Sequence, residues 1–473
     1  LITMFNLQQY SAKIAVITDR GEKLTYAELY TKVEDFHEHI PVKGLIFFLC
    51  ENQLGSLVGY IACIMKKIPA VLLDGSKDLE LIQQLITIYH PEYLWMPTDR
   101  KCEIGGKTLY EYGDFSLQQI TYDHDFTTEE KILNPDLILC LTTSGSTGSP
   151  KLVRLSLKNL ESNAESIAEY LQIDKNERPV TTLPMYYSFG VSVINSHLIK
   201  GATLLLTDKS VIQKEFWSFI KEQKATSIAG VPYTYEMLRR LRFFRMELPD
   251  LKTMTQAGGK LNATFVKEFV DFAKQSDKQF IVMYGQTEAT ARMSYLPWER
   301  ALEKASSIGI AIPGGEFSLA DASGNEILDT DIDGELVYKG ANVSMGYAEC
   351  RKDLAKGDEN HGVLHTGDIA RKDADGYYYI TGRMKRFVKV WGNRCNLDAT
   401  EQLVKAVTSN CACVGVDDKI TVFVTEEGLE DQIKNLLVEK TGFNPRAFAI
   451  QVITEIPKYT SGKIQYPELQ KMI

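Results

Sequence analysis

Directly after an apolar run, hydroxyls and glycines crowd together in Leu141-Thr-Thr-Ser-Gly-Ser-Thr-Gly-Ser-Pro-Lys151. Glycines let the backbone approach an anion and turn N–H groups toward it, hydroxyls add donors, and the closing lysine adds charge. That is chemistry for holding phosphate. The loop is not of the Walker type, which needs Gly-Lys-Ser/Thr opening a helix, whereas Pro150-Lys151 leads into the strand-like Leu152-Val-Arg-Leu155. Taken alone, it reads equally well as a flexible polar hairpin.

It is followed by Tyr284-Gly-Gln-Thr-Glu288, by Gly334-Glu-Leu-Val-Tyr-Lys-Gly340 with Gly346-Tyr347, and by His365-Thr-Gly-Asp368. Gly382-Arg383 with Lys389 and Gly392-Asn-Arg394 comes next, then Pro457-Lys-Tyr-Thr-Ser-Gly-Lys463. In this order the motifs resemble those of the adenylate-forming superfamily: acyl-CoA synthetases and other AMP-dependent ligases, adenylation domains of nonribosomal peptide synthetases, and luciferases. The resemblance runs from about residue 140 to the end, with a weaker match at Leu24-Thr-Tyr-Ala-Glu-Leu29. It implies ATP-dependent joining of a carboxylic acid to AMP with release of pyrophosphate. Transfer to a thiol would follow, on CoA or on the phosphopantetheine arm of a carrier protein, with ATP and Mg²⁺ required.

The reaction sets the demands. A carboxylate is already ionised at neutral pH, so attack on the α-phosphorus needs no general base. It needs cations and N–H donors to offset the repulsion of two anions and the charge growing on pyrophosphate. By resemblance, Thr143, Ser144, Gly145, Ser146, Thr147, Gly148 and Lys151 take the phosphates, with Tyr284 and Gly285 also at the ATP site. Glu288 would hold Mg²⁺, a hard cation that favours carboxylate oxygen, and Thr287 would donate to the α-phosphate. Asp368 can accept both ribose hydroxyls and Arg383 can donate to the same sugar; alternatively the two simply pair with each other. Gly258-Gly259 matches the backbone that lies against adenine. Lys463 matches the catalytic lysine that bridges the substrate carboxylate and the α-phosphate. The resemblance also places a hinge at Lys385 and a loop for the thiol step at Lys389, Gly392 and Arg394.

Leu183-Pro-Met-Tyr-Tyr-Ser-Phe-Gly190 matches the start of the family's acid pocket. Amino-acid-activating members carry an aspartate where Gly190 aligns, as counter-charge to the substrate ammonium. Its absence disfavours an α-amino acid and favours an acid with an uncharged chain. Tyr187 stands where many CoA ligases have histidine. Tyr187 and Phe189 line the pocket on this reading, or are ordinary core or surface aromatics. Tyr233 and Arg292 are further lining candidates; Arg292 would meet a second acidic group or be an exposed arginine near an ion pair.

Elements to carry these groups are visible. Thr25-Tyr-Ala-Glu28 has capping-box spacing, and Leu29, Val33, Phe36 and Ile40 share a helical face. Strand-like Leu45 to Cys50, helical Leu57 to Met65 and strand-like Ala70 to Asp74 follow. This alternation indicates a largely parallel sheet covered on both faces. A second α/β layer starts at Leu137 to Leu141, followed by helical Leu157 to Leu171 and the pair Ala202 to Thr207 and Ile212 to Gln223. From about Ser307 short alternating segments and turn signals indicate a small β-rich subdomain. Beyond Gly382, helices at Leu397 to Val407 and Leu429 to Lys440 with strands at Ala412 to Val416, Ile420 to Val424 and Ala449 to Ile453 make a small α+β domain. The expected fold is therefore α/β. Residues 1–384 form an AMP-binding domain of two α/β sheets and a β-rich subdomain, and 386–473 form a mobile α+β domain hinged at Lys385.

The 473 residues exceed one hydrophobic core. A net charge of −9 disfavours a general grip on nucleic acid or anionic lipid and leaves a small molecule as the default partner. The 8 cysteines lack metal-ligand spacing and read as inert buried thiols in a reducing compartment. Leu1 to Tyr10 shows no leader pattern and no apolar run is membrane-length, so a cytoplasmic protein is expected. No Gly-x-Asp-Ser attachment motif occurs, so a carrier protein would be separate. The alternatives are a non-catalytic nucleotide-binding protein on the same fold and, more remotely, a luciferase-like oxygenase.

Overall fold

The computed structural model describes residues 4–76, 79–123, 127, 132–142, 151–391, 393–459 and 463–473. They fall into two compact units. The first takes Leu1–Ala305, Ala311–Glu316 and Lys339–Leu364, and the second Ser306–Ile310, Phe317–Tyr338 and His365–Ile473. The division does not fall at Lys385: the β-rich segment and the C-terminal segment group together.

The first unit holds two large sheets. In the eight-stranded one, Ile46–Cys50 pairs in parallel with Ala70–Asp74 and Tyr93–Pro97, and Ala70–Asp74 with Leu137–Thr142. Both faces of Ile46–Cys50 are enclosed: Ile46, Phe48 and Cys50 enter one apolar cluster and Phe47 and Leu49 another. An unbroken apolar run is what a doubly covered strand requires. The margins are antiparallel, and one of them fixes the site: Leu152–Ser156 pairs with Leu137–Thr142 on one side and Gly346–Ala348 on the other. Arg154, fully buried, donates to the carbonyls of Met345, Tyr347 and Lys356 and pairs with Glu359 at 2.6 Å, which locks this edge.

The nine-stranded sheet runs in parallel through Pro179–Val180, Ser227–Gly230, Thr253–Gln256 and Gln279–Tyr284. The expected capping box at Thr25 is present, and the helix Tyr26–Glu38 buries Leu29, Val33 and Phe36. Ile40 lies past its end, partly buried against the same core.

In the second unit, Gly315–Ala320, Gly334–Gly340, Val363–Lys372 and Tyr378–Arg383 form a four-stranded sheet. The C-terminal segment has a hairpin, Phe387–Val390 with Asn393–Asn396, and a three-stranded sheet ending in Phe448–Val452, backed by Leu397–Val404 and Glu430–Thr441. No helix among the described residues is long and apolar enough to cross a membrane. Cys50, Cys63, Cys140, Cys395, Cys411 and Cys413 are buried; Cys350 is exposed, contrary to the expectation of buried thiols throughout.

Candidate active site

Thr143, Ser144, Gly145, Ser146, Thr147, Gly148 and Gly392 lie outside the described residues. Lys151, which opens the strand Leu152–Ser156, is described. Its ammonium pairs with Glu349 at 2.5 Å and stands 5.8 Å from the centroid of the Tyr347 ring. The pairing Val153 to Tyr347 in the edge strands accounts for this proximity. The Tyr347 hydroxyl donates to Oε1 of Glu288 at 2.7 Å. Lys151 and the Glu288 carboxylate are thereby brought together through one tyrosine.

Glu288 sits in a single 3-10 turn, Thr287–Ala289, at the end of the strand Gln279–Tyr284. The turn is pinned from one segment: Ser344 N–H donates to the Glu288 carbonyl at 2.9 Å, and Asn342 donates to the carbonyls of Ala289 and Arg292 at 3.0 and 3.1 Å. Thr290, at φ 67°, takes a left-handed conformation rare for a β-branched residue. Its hydroxyl offsets this by donating to Asn342 O at 2.7 Å. A Cβ on Gly285 would fall 1.8 Å from the Ala291 carbonyl oxygen, so only glycine allows the chain to double back here.

Thr287 Oγ1 lies 3.1 Å from Ser188 Oγ, which ties the metal turn to the first residue of the helix Ser188–Leu198. That helix opens on the residues expected to line the acid pocket. Phe189 and Tyr187 enter one apolar cluster with Val193, Ala229, Val231, Ala257 and Met283. Burial pushes the Tyr187 hydroxyl up to about 12, so it stays neutral. A Cβ on Gly258 would meet that hydroxyl at 2.5 Å, which places Tyr187 against the glycine pair, while Gln256 donates to the Gly259 carbonyl at 2.9 Å. Tyr233 is 45% exposed near the start of the helix Pro232–Arg240, outside this cluster. Arg292 is 2% exposed, which removes the reading of it as a surface arginine.

In the second unit, Asp368 and Arg383 face each other across antiparallel strands, and Arg383 Nε lies 3.1 Å from Asp368 Oδ1. The two do pair, as the alternative had it, and they also form one edge that could grip a diol. The Lys463 carbonyl accepts from Tyr459 N–H at 2.8 Å, beside an isolated bridge between Lys458 and Ile464. Lys385 lies in the turn Met384–Arg386; Lys389 is exposed on Phe387–Val390, and Arg394 lies on Asn393–Asn396.

A lysine-bearing strand, a carboxylate on a turn and an apolar cluster at a helix start suit activation of an acid by a nucleotide. Residues 5–348 match the family model described as AMP-binding enzyme. The chain belongs to the AMP-binding enzyme family. It is an ATP-dependent, AMP-forming acid–thiol ligase. Among curated proteins it is 26% identical over 458 residues to the 2-succinylbenzoate–CoA ligase of Oceanobacillus iheyensis, spanning 93% of this chain and 86% of that protein. It is 27% identical over 287 residues to a feruloyl-CoA synthase of an Amycolatopsis species, covering 60% of this chain and 57% of that one. Among solved structures, the o-succinylbenzoate CoA synthetase of Bacillus subtilis in complex with its acyl-adenylate intermediate superposes with a TM-score of 0.78, covering 98% and 97% of the two chains. At 18% identity that likeness speaks to the fold alone.

As an AMP-binding enzyme the chain has site features that its sequence motifs did not assign. Tyr347 was visible only as part of a glycine-tyrosine motif, Ser188 only as an unassigned member of the Leu183–Gly190 segment, and Glu349 comes to Lys151 only through the strand pairing.

Proposed function

We propose that the chain activates a carboxylic acid lacking an α-amino group and passes it to CoA, or to the same thiol on a separate carrier protein, in the cytoplasm. The observation that carries the acid class is at Gly190: a Cβ there would stand 2.1 Å from the Pro184 carbonyl oxygen. The helix start is packed so closely on its own approach segment that an aspartate has no room, and a substrate ammonium would find no counter-charge. The CoA-ligase names of the relatives fit this reading.

The residue roles we propose are those the family resemblance implies. Glu288 would hold Mg²⁺ through a carboxylate oxygen, and the ion would supply positive charge against the negative charge that develops on pyrophosphate. One carboxylate, joined through Tyr347 to the strand next to Lys151, fits the way this ion is usually held. Among the described residues the hydrogen-bond partner of Glu288 is the neutral Tyr347 hydroxyl, which orients it without competing as a charge. Thr287, with its hydroxyl fixed by Ser188, donates to the α-phosphate. The phosphate loop and Lys151 hold the β- and γ-phosphates, Asp368 and Arg383 the ribose, and Gly258 and Gly259 the adenine face. Lys463 offsets the charge of the two reacting anions.

The 386–473 domain turns about Lys385 between the two half-reactions, bringing Lys463 and then the Lys389, Gly392 and Arg394 loop to the site. Arg386 marks where the moving body begins: its guanidinium pairs with Asp398 and with Glu401 at 3.3 Å and stacks 3.7 Å from the Tyr466 ring centroid. The test is pyrophosphate release from ATP with a mixed acid library that includes the common amino acids. Release with non-amino acids alone supports the reading, and selective release with an amino acid overturns it.

A further inference from the structure

Arg292 is enclosed in the apolar cluster of the acid pocket, with its guanidinium carbon 4.8 Å from the Phe189 ring centroid. Its hydrogen-bond partners among the described residues are the Tyr170 hydroxyl at 3.2 Å and the Met283 sulfur at 3.1 Å, both on Nη1. Nε is fully enclosed and has no partner among the described residues. None of the ion pairs of the described residues gives this guanidinium a carboxylate, although buried Arg154 and Arg351 each have one. Arginine keeps its proton in any such setting, and a buried charge with only neutral partners is costly. Such a cost persists where the missing anion arrives from outside.

A narrow cleft opens beside the guanidinium, lined also by His197, Val193, Ala229 and Thr255. Glu177 lines it too, but its carboxylate already accepts from the Thr226 hydroxyl and faces Lys252 at 3.7 Å. His197 Nδ1 lies 2.8 Å from the Val193 carbonyl oxygen, which can only accept, so Nδ1 carries a proton. A planar two-oxygen acceptor matches the guanidinium fork, and the narrow space suits a carboxylate better than a tetrahedral anion.

We propose that Arg292, with the Tyr170 hydroxyl beside it, recognises a second carboxylate on the substrate, so that the preferred acid is a dicarboxylic acid. One carboxylate is adenylated near Thr287 and Glu288; the other is held by Arg292. This rests on the acid-activating reading above and sharpens it: the far end of the acid is charged, and negatively.

The test uses full-length enzyme and dicarboxylic acids of graded length, aliphatic and aryl, each matched with the methyl ester of its distal carboxyl. ATP-dependent pyrophosphate release gives kcat/KM, and equilibrium dialysis without ATP gives binding. For the best acid, the diacid should exceed its ester roughly 100-fold, because a site built around a polar group rejects the analogue lacking it. Arg292→Gln should collapse that ratio toward one, and Arg292→Lys, which keeps charge but loses the fork, should restore it only in part. If the wild-type enzyme uses esters or plain monoacids as well as diacids, the second-carboxylate site is wrong while acid activation stands. If a diacid binds, and Arg292→Gln abolishes binding, but no acid releases pyrophosphate, the site stands and the activation reading falls. With neither binding nor release, both fall. The wild-type comparison decides the matter even if the variants fail to fold.

Discussion

The hydroxyl of Tyr347 and the carboxylate of Glu288 are joined by a 2.7 Å hydrogen bond, although the two residues lie in separate motifs of the chain. The strand Gly346–Ala348 delivers the tyrosine and the turn Thr287–Ala289 delivers the glutamate. Partners that orient a ligand carboxylate typically change metal affinity 10–100-fold when removed. Tyr347→Phe should therefore raise the Mg²⁺ concentration for half-maximal pyrophosphate release by roughly 10-fold. Thioester formation from a supplied acyl-adenylate should change little. An unchanged Mg²⁺ titration would separate Tyr347 from the metal site.

Gly190 is a packing constraint as much as a specificity position. Gly190→Ala drives a methyl group into the Pro184 carbonyl and should destabilise the protein by about 1–3 kcal/mol, the usual range for overpacking. Denaturant melts measure this. Gly190→Asp should likewise lose stability without gaining turnover of any amino acid.

His197 makes stability depend on pH. Burial, with a smaller effect from Arg292, lowers its pKa from 6.5 to about 4, so the native protein holds it neutral where the unfolded chain takes up a proton. The contribution is complete above pH 6.5 and is lost as pH falls from there through 4, amounting to about 3 kcal/mol. Melts between pH 7 and 4 should show a steeper loss of stability in the wild type than in His197→Gln. Parallel curves would place the acid sensitivity elsewhere.

Much of this was legible in the chain, for physical reasons. The helix after Thr25, the doubly covered strand Ile46–Cys50 and the phosphate-loop strand announce themselves through caps and periodicity, which are local. The features at the centre of the site are not local. Tyr347 reaches Glu288 only because an edge strand pairs with Leu152–Ser156, a register no spacing rule gives. Gly190 reads in sequence as a missing aspartate, and the carbonyl that forbids one is seen only in three dimensions. Arg292 was ambiguous because burial of one arginine leaves no mark on periodicity. The grouping of the β-rich segment with the C-terminal segment was likewise unseen, since turn signals mark where strands end and not what they pack on.

Lys385→Pro fixes φ and removes an N–H in the turn Met384–Arg386, so it should hold the small domain in one orientation. If that orientation is the adenylating one, ATP–pyrophosphate exchange survives while thioester formation collapses. Thioester formation at the wild-type rate would mean that the small domain serves both steps from one pose.

The most direct measurement of the central claim separates the two half-reactions in wild-type enzyme and in Lys463→Ala. Acid-dependent pyrophosphate release reports adenylation, and mass spectrometry of the acyl thioester formed from a supplied acyl-adenylate and CoA reports transfer. The wild type should perform both with an acid lacking an α-amino group. Lys463→Ala should lose adenylation by roughly 100-fold or more, as befits removal of a charge that acts on the transition state, and keep most of the transfer step. Equal loss in both steps, or a wild-type enzyme that binds ATP yet releases no pyrophosphate with any acid, would contradict the account.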